Sequence, residues 1–275
     1  MLAGRRRTTA TLLISIFVVL FGLAFGSFLN VCIARLPRHA SIIRPGSRCP
    51  QCGAAIRIAD NAPLVSWLIL RGRCRACHWR IPWRYPAVEA GIAALFLLCY
   101  LQFGLTVRGG GTAVLCFLLF GLAVTDAETM RVPNAFTLPG IALGIAYAGL
   151  LPAATLRGHV WNAVASAVWA AIAALVILGI RWAYFLVRHK EGMGRGDAKL
   201  LAMIAAWLGP GLTILTLCLG SVAAAMFGLV WIAISGSAKK TLAARLPFGS
   251  FLCAAAIYGI FAGQPVIRWY LKFFF

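Results

Sequence analysis

Long apolar runs constrain the fold of this 275-residue chain more than any other feature. Hydrophobic residues make up 62% of the sequence and charged residues only 12%, about half the charged share of an ordinary soluble domain. Several runs approach or exceed the roughly 18–20 residues that a helix needs to cross a bilayer. Backbone groups in lipid must find hydrogen-bond partners within the protein, and a helix supplies them from its own segment. The sequence therefore predicts an all-α, polytopic transmembrane helical bundle.

Eight spans give the best division of the apolar runs, although the sixth is short and six or seven spans also fit the pattern. Gly209, Pro210 and Gly211 separate the sixth span from the seventh. The first run is too long for the apolar region of a signal peptide and lacks a clear cleavage site, so we expect it to be retained as a helix. The eight spans are expected near residues 11–34, 86–106, 112–126, 134–151, 161–187, 198–209, 211–235 and 248–267.

The net charge of +20 raises the question of nucleic-acid binding, but its distribution indicates a different partner. The basic residues lie mainly in short loops between apolar runs, which is typical of topology signals and of contacts with anionic lipids. We therefore expect a lipid bilayer and no nucleic acid as partner. Most of the 26 Lys and Arg residues fall on one side if the polar segment 35–85 is cytoplasmic, which agrees with the positive-inside rule although Arg5, Arg6 and Arg7 oppose it.

The polar segment 35–85 contains two Cys-x-x-Cys pairs. A segment of this size is too small to form a dependable hydrophobic core without a stabilising cross-link or bound metal ion. Two such pairs at this spacing predict a tetrahedral, structural Zn²⁺ site of the zinc-ribbon type, because four sulfur ligands leave no open position. Two disulfides or four free thiols are the alternatives, and disulfides are disfavoured in a reducing cytoplasm. The predicted metal ligands are Cys49, Cys52, Cys74 and Cys77, and His78 is expected to be a neighbour.

Two of the six acidic residues stand out by their position. Asp126 ends the third expected span and Asp197 opens the sixth, so both are expected at the cytoplasmic membrane face. Ionisable groups within spans are costly and usually functional. Two carboxylates held together can share one proton, so that one draws a proton from water while the other polarises a carbonyl group. The pair therefore predicts an aspartyl protease.

A helix cap is the alternative role for Asp197, because a carboxylate favours the positive end of the helix dipole. Glycines at positions 192, 194 and 196 favour the functional interpretation, since they permit close backbone approach to a peptide substrate.

The motif GRGD at residues 194–197 resembles the GxGD motif of the type IV prepilin peptidases, a family of intramembrane aspartyl proteases. Further family-like stretches occur in the family's order and span most of the chain. One departure is Asn134, where the family commonly has aspartate after proline, and this leaves any auxiliary role of that position in doubt. The stretches are GSFLNVCIARLP (26–37), CPQCG (49–53), DNAPLVSWLILRGRCRAC (60–77), RYPAVE (84–89), DAETMRVPN (126–134) and PFGSFL (247–252).

The resemblance implies a bacterial inner-membrane enzyme that removes the basic leader from type IV prepilins or type II secretion pseudopilins on the cytoplasmic side. It implies Asp126 and Asp197 as the catalytic pair, and the pilus or type II secretion machinery as partner. Many members also methylate the new N-terminal amine with S-adenosylmethionine. The complete cysteine set and Glu89 in YPAVE resemble this bifunctional type, but no glycine-rich strand turn identifies a methyl-donor site.

Two alternatives from other functional classes remain open at this stage. A transporter that uses intramembrane carboxylates would place them near the bilayer midplane and would show inverted repeats, and neither is evident. A non-catalytic assembly component would use the cysteine segment for docking. In each case we expect three regions: a first helix at 1–34, the zinc-binding segment at 35–85 and the membrane core at 86–275.

Overall fold

The computed structural model describes residues 2–189, 194–235 and 246–273, with side chains from residue 10 onward. Within these ranges the chain forms α-helices and no strand. Two short 3-10 helices, Leu36–Arg38 and Ile58–Asn61, lie in the polar segment. The helices are α1 (Leu2–Arg35), α2 (Val65–Ile69), α3 (Arg84–Phe103), α4 (Val107–Thr129), α5 (Asn134–Leu150), α6 (Leu156–Arg188), α7 (Arg195–Ser235) and α8 (Phe248–Leu271).

Six of the described helices are long and apolar enough to cross a membrane: α1, α3, α4, α6, α7 and α8. Helix α5 is also apolar but has only 17 residues. The prediction of a polytopic helical bundle is confirmed, with boundaries that shift by a few residues. The third span, expected at 112–126, lengthens to 23 residues in α4, about 35 Å of helix, and is therefore no longer short for a bilayer.

Helix α7 reverses its direction at Gly209, so that it supplies two antiparallel segments. Gly209 has φ 72° and ψ −178°, a conformation open essentially to glycine alone. Leu200, before the bend, lies against Gly249 at the start of α8. Gly220, after the bend, lies against Leu252, one turn further along α8. In a straight helix residues 200 and 220 would be about 30 Å apart. With this reversal the described residues form eight apolar helical segments, the number predicted.

The residues form two compact units, 1–117 and 118–275. In the first unit α1 packs closely on α3 through two glycines four residues apart. A Cβ atom on Gly22 would come within 2.6 Å of the Ala93 backbone, and one on Gly26 within 2.6 Å of the Glu89 backbone. Small residues at this spacing let transmembrane helices approach closely. The contact at Gly26 places Glu89 directly against α1.

The second unit is built around the first half of α7. Residues 200–206 are all buried, and α5, α6 and α8 pack against this helix. The Trp207 indole donates to the Gly140 carbonyl at 2.8 Å, and the Ser166 hydroxyl donates to the Ala206 carbonyl at 2.8 Å. The segment that follows the GRGD motif is therefore the centre of this unit.

Candidate active site and metal centre

Asp126 lies in the last turns of α4 and is 5% exposed. Its Oδ2 atom accepts a hydrogen bond from the backbone N–H of Ser250 at 2.8 Å. The Ser250 hydroxyl lies 3.2 Å from the same oxygen and 2.8 Å from the Ala123 carbonyl, within donating distance of both. A buried carboxylate needs such donors to offset its lost hydration. The first turn of α8 therefore fixes the orientation of Asp126.

A glycine beside Ser250 makes room for the same carboxylate. A Cβ atom on Gly249 would come within 3.0 Å of Asp126 Oδ2 and 3.1 Å of its Cγ. Both values are shorter than ordinary carbon contacts. The sequence PFGSFL thus contributes the backbone donor, the hydroxyl and the open space around Asp126.

Asp197 lies in the first turn of α7 and is half-buried. Its Oδ2 atom accepts the backbone N–H of Gly194 at 3.2 Å, the contact that a third-position side chain makes in a capping box. The capping role considered for this residue is therefore present in the structure. It leaves the other carboxylate oxygen, Oδ1, without a described protein donor and so compatible with a second role.

Gly196, the second glycine of the GRGD motif, allows two segments to pack closely. A Cβ atom on Gly196 would come within 2.9 Å of the Val132 Cβ atom in the α4–α5 connection. Gly196 therefore lets the start of α7 approach that connection, and with it the end of α4. Gly192, which the sequence also singled out, lies outside the described residues.

The fold brings Asp126 and Asp197 together across 71 positions of sequence. Asp126 is close enough to Asp197 to act on it electrostatically, and both carboxylates act on the buried thiol of Cys253 in α8. Among the residues that the structure describes, neither aspartate forms an ion pair with a Lys, Arg or His. Two neighbouring carboxylates without a cation to neutralise them form a pair that can hold one proton between them.

The four predicted metal ligands form a second cluster, in the first unit. The sulfur atoms of Cys49, Cys52, Cys74 and Cys77 all lie within 4.8 Å of one another, and those of Cys49 and Cys77 are 3.8 Å apart. A tetrahedral zinc ion with Zn–S bonds of about 2.3 Å requires sulfur separations of about 3.8 Å. The donor set and its spacing therefore fit a Zn²⁺ ion.

The two cysteine pairs have the same local backbone. Gly53 N–H donates to the Cys49 carbonyl at 2.9 Å, and His78 N–H donates to the Cys74 carbonyl at 3.0 Å. Gly53 and His78 both have positive φ, 70° and 57°, so His78 fills a turn position. Backbone N–H groups of Cys77 and Ala76 lower the pKa of the Cys74 thiol to about 7. A thiol of lowered pKa supplies the thiolate that a metal ion binds.

Arg75, inside the second cysteine pair, forms an ion pair with Asp60. Its guanidinium donates to both carboxylate oxygens of Asp60, at 2.6 and 2.9 Å. These bonds lower the pKa of the Asp60 carboxyl, so the pair persists at neutral pH. Asp60 therefore links the 3-10 helix Ile58–Asn61 to the second cysteine pair, an ion pair that sequence reasoning did not identify.

Family models match both parts of the chain. The model for the bacterial peptidase A24 N-terminal domain matches residues 20–103, and the model for the type IV leader peptidase family matches residues 113–229. A prepilin leader peptidase/N-methyltransferase of Stutzerimonas stutzeri is 33% identical over 278 residues, which cover 93% of both chains. The chain belongs to the type IV leader peptidase family.

Further relatives give the same picture for this leader peptidase family member. The protein of the same name from Aeromonas salmonicida strain A449 is 36% identical over 283 residues, or 93% of each chain. The one from Pseudomonas aeruginosa is 33% identical over 280 residues, or 93% of this chain and 92% of that protein. No solved structure gives a significant match. The resemblance inferred from the sequence motifs is thereby confirmed.

The departure at Asn134 has a simple structural consequence in this peptidase family member. Asn134 begins α5, and its side-chain oxygen accepts a hydrogen bond from Lys199 Nζ at 2.9 Å. An aspartate here would accept the same bond as an ion pair. Asparagine keeps the hydrogen bond between α5 and α7 without forming an ion pair with Lys199.

Ser250 is the functional residue that sequence reasoning missed. The stretch PFGSFL was recognised as family-like, but nothing in its composition indicates a contact between Ser250 and an aspartate. A serine three residues after a proline at the start of a helix is compatible with an ordinary helix start, so no local signal connects it with Asp126.

Proposed function

We propose that the protein cleaves the basic leader peptide from type IV prepilins or type II secretion pseudopilins, with Asp126 and Asp197 as the catalytic pair. The supporting observation is the pair itself: two carboxylates from α4 and α7, without a described cationic partner, in a chain that belongs to a leader peptidase family. Relatives named prepilin leader peptidase/N-methyltransferase cover nearly the whole chain, which supports this substrate class.

The proposed reaction needs one ionised and one protonated carboxyl group. The ionised group removes a proton from a water molecule, and the water oxygen attacks the carbonyl carbon of the scissile peptide bond. The protonated group donates a hydrogen bond to the carbonyl oxygen, where negative charge develops. When the C–N bond breaks, the group that received the proton gives it to the leaving amine. Ser250 and Gly194 hold the two carboxylates in orientation through the hydrogen bonds described above.

The proposed location is the bacterial inner membrane, with the catalytic pair and the cysteine segment facing the cytoplasm. Six long apolar helices support a multi-pass membrane protein. The excess of Lys and Arg in the segment 35–85 and in the loops on its side supports the orientation. Lys190, Lys239, Lys240 and Arg245, which contribute to that excess, lie outside the described residues. The proposed functional regions remain 1–34, 35–85 and 86–275, and the pilus or secretion machinery is the proposed partner.

A zinc ion held by Cys49, Cys52, Cys74 and Cys77 is proposed as a structural element of the segment 35–85. Four thiolates complete the coordination of Zn²⁺ and leave no position for substrate. The ion would therefore fix the two turns relative to each other in a segment with little hydrophobic core. His78 takes part through its backbone turn.

The second proposed activity is methylation of the newly exposed N-terminal amine, with S-adenosylmethionine as donor, and the names of the relatives support it. The neutral amine attacks the methyl carbon, a C–N bond forms and the S–C bond breaks. The donor would thus supply the methyl group and leave as a neutral thioether, and the methylated amine would release one proton to water.

Leader cleavage by purified protein tests the catalytic pair. We expect wild type to release the leader from a prepilin substrate, and Asp126→Asn and Asp197→Asn to lose at least roughly 10³-fold of the rate, because each removes one half of the acid–base pair. Glu128→Gln, an exposed carboxylate two residues from Asp126, is the matched control and should cleave normally. Cleavage that survives either aspartate substitution in a folded protein would exclude this mechanism.

The same variants separate the other functional classes. A non-catalytic assembly component would tolerate Asp126→Asn with full function. If the protein were a transporter, the aspartate variants would lose ion or substrate flux, and wild type would not process leaders. The names of the relatives favour neither alternative.

A further inference from the structure

A cavity of about 520 Å³ lies in the first unit, between the cysteine segment and the ends of α1 and α3. Its size is within the range of roughly 300–1,000 Å³ that small-molecule sites occupy. Its walls come from segments distant in sequence, including Asn30 on α1, Trp67 on α2, Trp79 beyond the second cysteine pair and Glu89 on α3. All of these residues belong to the same compact unit.

The inner end of the cavity carries two acceptors that are not balanced by a cation. Asn30 is 3% exposed, and its Oδ1 atom is buried with no hydrogen-bond partner among the described residues. Its amide nitrogen donates to the Tyr85 carbonyl at 3.0 Å. Glu89 is 8% exposed and forms no ion pair in the described part of the chain. Glu89 accepts hydrogen bonds from the Leu64 N–H and from Ser27, but it has no described cationic partner. A buried carboxylate without a counter-charge is costly, so this end of the cavity favours a positively charged ligand group.

Glu89 is held in place by the loop before α2. Its Oε2 atom accepts the backbone N–H of Leu64 at 2.8 Å, and Leu64 has a positive φ of 57°. The close approach of Gly26 fixes the Glu89 backbone against α1. The carboxylate is therefore oriented before any ligand arrives, which reduces the cost of binding.

The remaining walls suit the other parts of a nucleoside ligand with an amino-acid tail. Trp67 and Trp79 offer aromatic surface against which a purine can stack and a sulfonium group can be stabilised. The Trp67 indole N–H already donates to the Ile81 carbonyl at 3.3 Å, so its ring is held in position. Arg48 and Arg57 line the cavity from exposed positions and can receive a carboxylate at the rim.

We propose that this cavity binds the methyl donor, S-adenosylmethionine, with its sulfonium and ammonium groups toward Asn30 and Glu89 and its carboxylate toward the arginines at the rim. This assignment rests on the proposed methyl transfer. It gives the segment 35–85 a binding role in addition to its proposed zinc site. Glu89 thus serves as the counter-charge for the donor.

Direct binding tests the assignment without reference to turnover. Equilibrium dialysis of the full-length protein in detergent with radiolabelled S-adenosylmethionine measures the Kd, and ultraviolet cross-linking with peptide mapping locates the label. We expect Glu89→Gln to raise the Kd by roughly 10–100-fold, since it removes the charge and keeps an acceptor for Leu64 N–H. Ala34→Phe, which fills the cavity from α1, should abolish binding. Glu128→Gln is the matched control and should bind as wild type does.

Leader cleavage and zinc content, measured on the same preparations, show that each variant is folded. If wild type methylates its substrate and binds the donor, and both Glu89→Gln and Ala34→Phe bind the donor equally well, the assignment of the donor to this cavity is wrong, while the proposed methylation is still supported. If wild type cleaves leaders but neither binds the donor nor transfers its methyl group, both the cavity assignment and the proposed methylation are wrong. Label that maps outside residues 27–89, or a basic leader peptide that occupies the cavity in place of the donor, also overturns the assignment.

Discussion

The backbone N–H of Ser250 donates to one oxygen of Asp126, across 124 positions of sequence, and the Ser250 hydroxyl lies between that oxygen and the Ala123 carbonyl. The Ser250 backbone N–H is 2.8 Å and the hydroxyl 3.2 Å from Asp126 Oδ2. In an apolar surrounding such bonds hold a carboxylate in one orientation. The catalytic pair proposed for this family member is therefore better described as two aspartates and the first turn of α8.

Removal of the Ser250 hydroxyl tests this relationship. Ser250→Ala keeps the backbone donor and loses the side-chain one, so we expect kcat for leader cleavage to fall by roughly tenfold with little change in KM. Ser250→Thr retains a hydroxyl and should recover most of the rate. Steady-state kinetics on a prepilin substrate make the measurement. A rise in KM at constant kcat would instead assign Ser250 to substrate binding.

Added bulk at Gly249 should displace Asp126. In Gly249→Ala the new methyl group would lie 3.0 Å from Asp126 Oδ2, so the carboxylate must shift. A displacement of about 1 Å at a reacting group costs on the order of 100-fold in rate. Gly259→Ala on the same helix is the matched control, because its methyl group would meet Thr216 at an ordinary 3.7 Å. Equal cleavage by the two variants would show that the Asp126 position is not critical.

Zinc removal should loosen the segment 35–85. We expect about one zinc ion per chain in wild type, as a single four-cysteine site requires, and none in Cys49→Ser. Without the ion, trypsin should cut at the arginines of this segment much faster, because the proposed ion would fix the two cysteine turns relative to each other. Cys218→Ser, an exposed cysteine outside the cluster, should change neither zinc content nor the digestion pattern. Zinc retained in Cys49→Ser would argue for a different site.

The bend in α7 should depend on Gly209. Gly209→Ala places a side chain at φ 72° and ψ −178°, and we expect a loss of stability of about 1–3 kcal/mol. Gly211→Ala, two residues on, adds a methyl group at an ordinary 3.7 Å from Ile267 and should be nearly neutral. Thermal unfolding in detergent compares the two. Identical midpoints would mean that the reversal is determined by the surrounding helices alone.

Features that depend on local sequence were predictable. Apolar run length determines which segments can span a bilayer, and the helices observed lie within a few residues of the expected spans. The spacing within each cysteine pair determines a turn that points two thiols the same way, and all four sulfurs do meet. The order of the motifs along the chain is enough to indicate the family.

Contacts between distant segments were decided only by the tertiary structure. Nothing near Ser250 in the sequence indicates Asp126, and nothing near Asn30 indicates a cavity shared with Glu89, because each relationship depends on how helices pack in space. The reversal at Gly209 was one of several compatible outcomes, since a Gly-Pro-Gly stretch permits either a bend or a turn. The sequence by itself thus determined the helices, the residues that supply the reactive groups and the family. The packing of α8 on α4 and α7, and of α1 on α3, decided which side chains orient those groups and which acceptors remain free to bind a ligand.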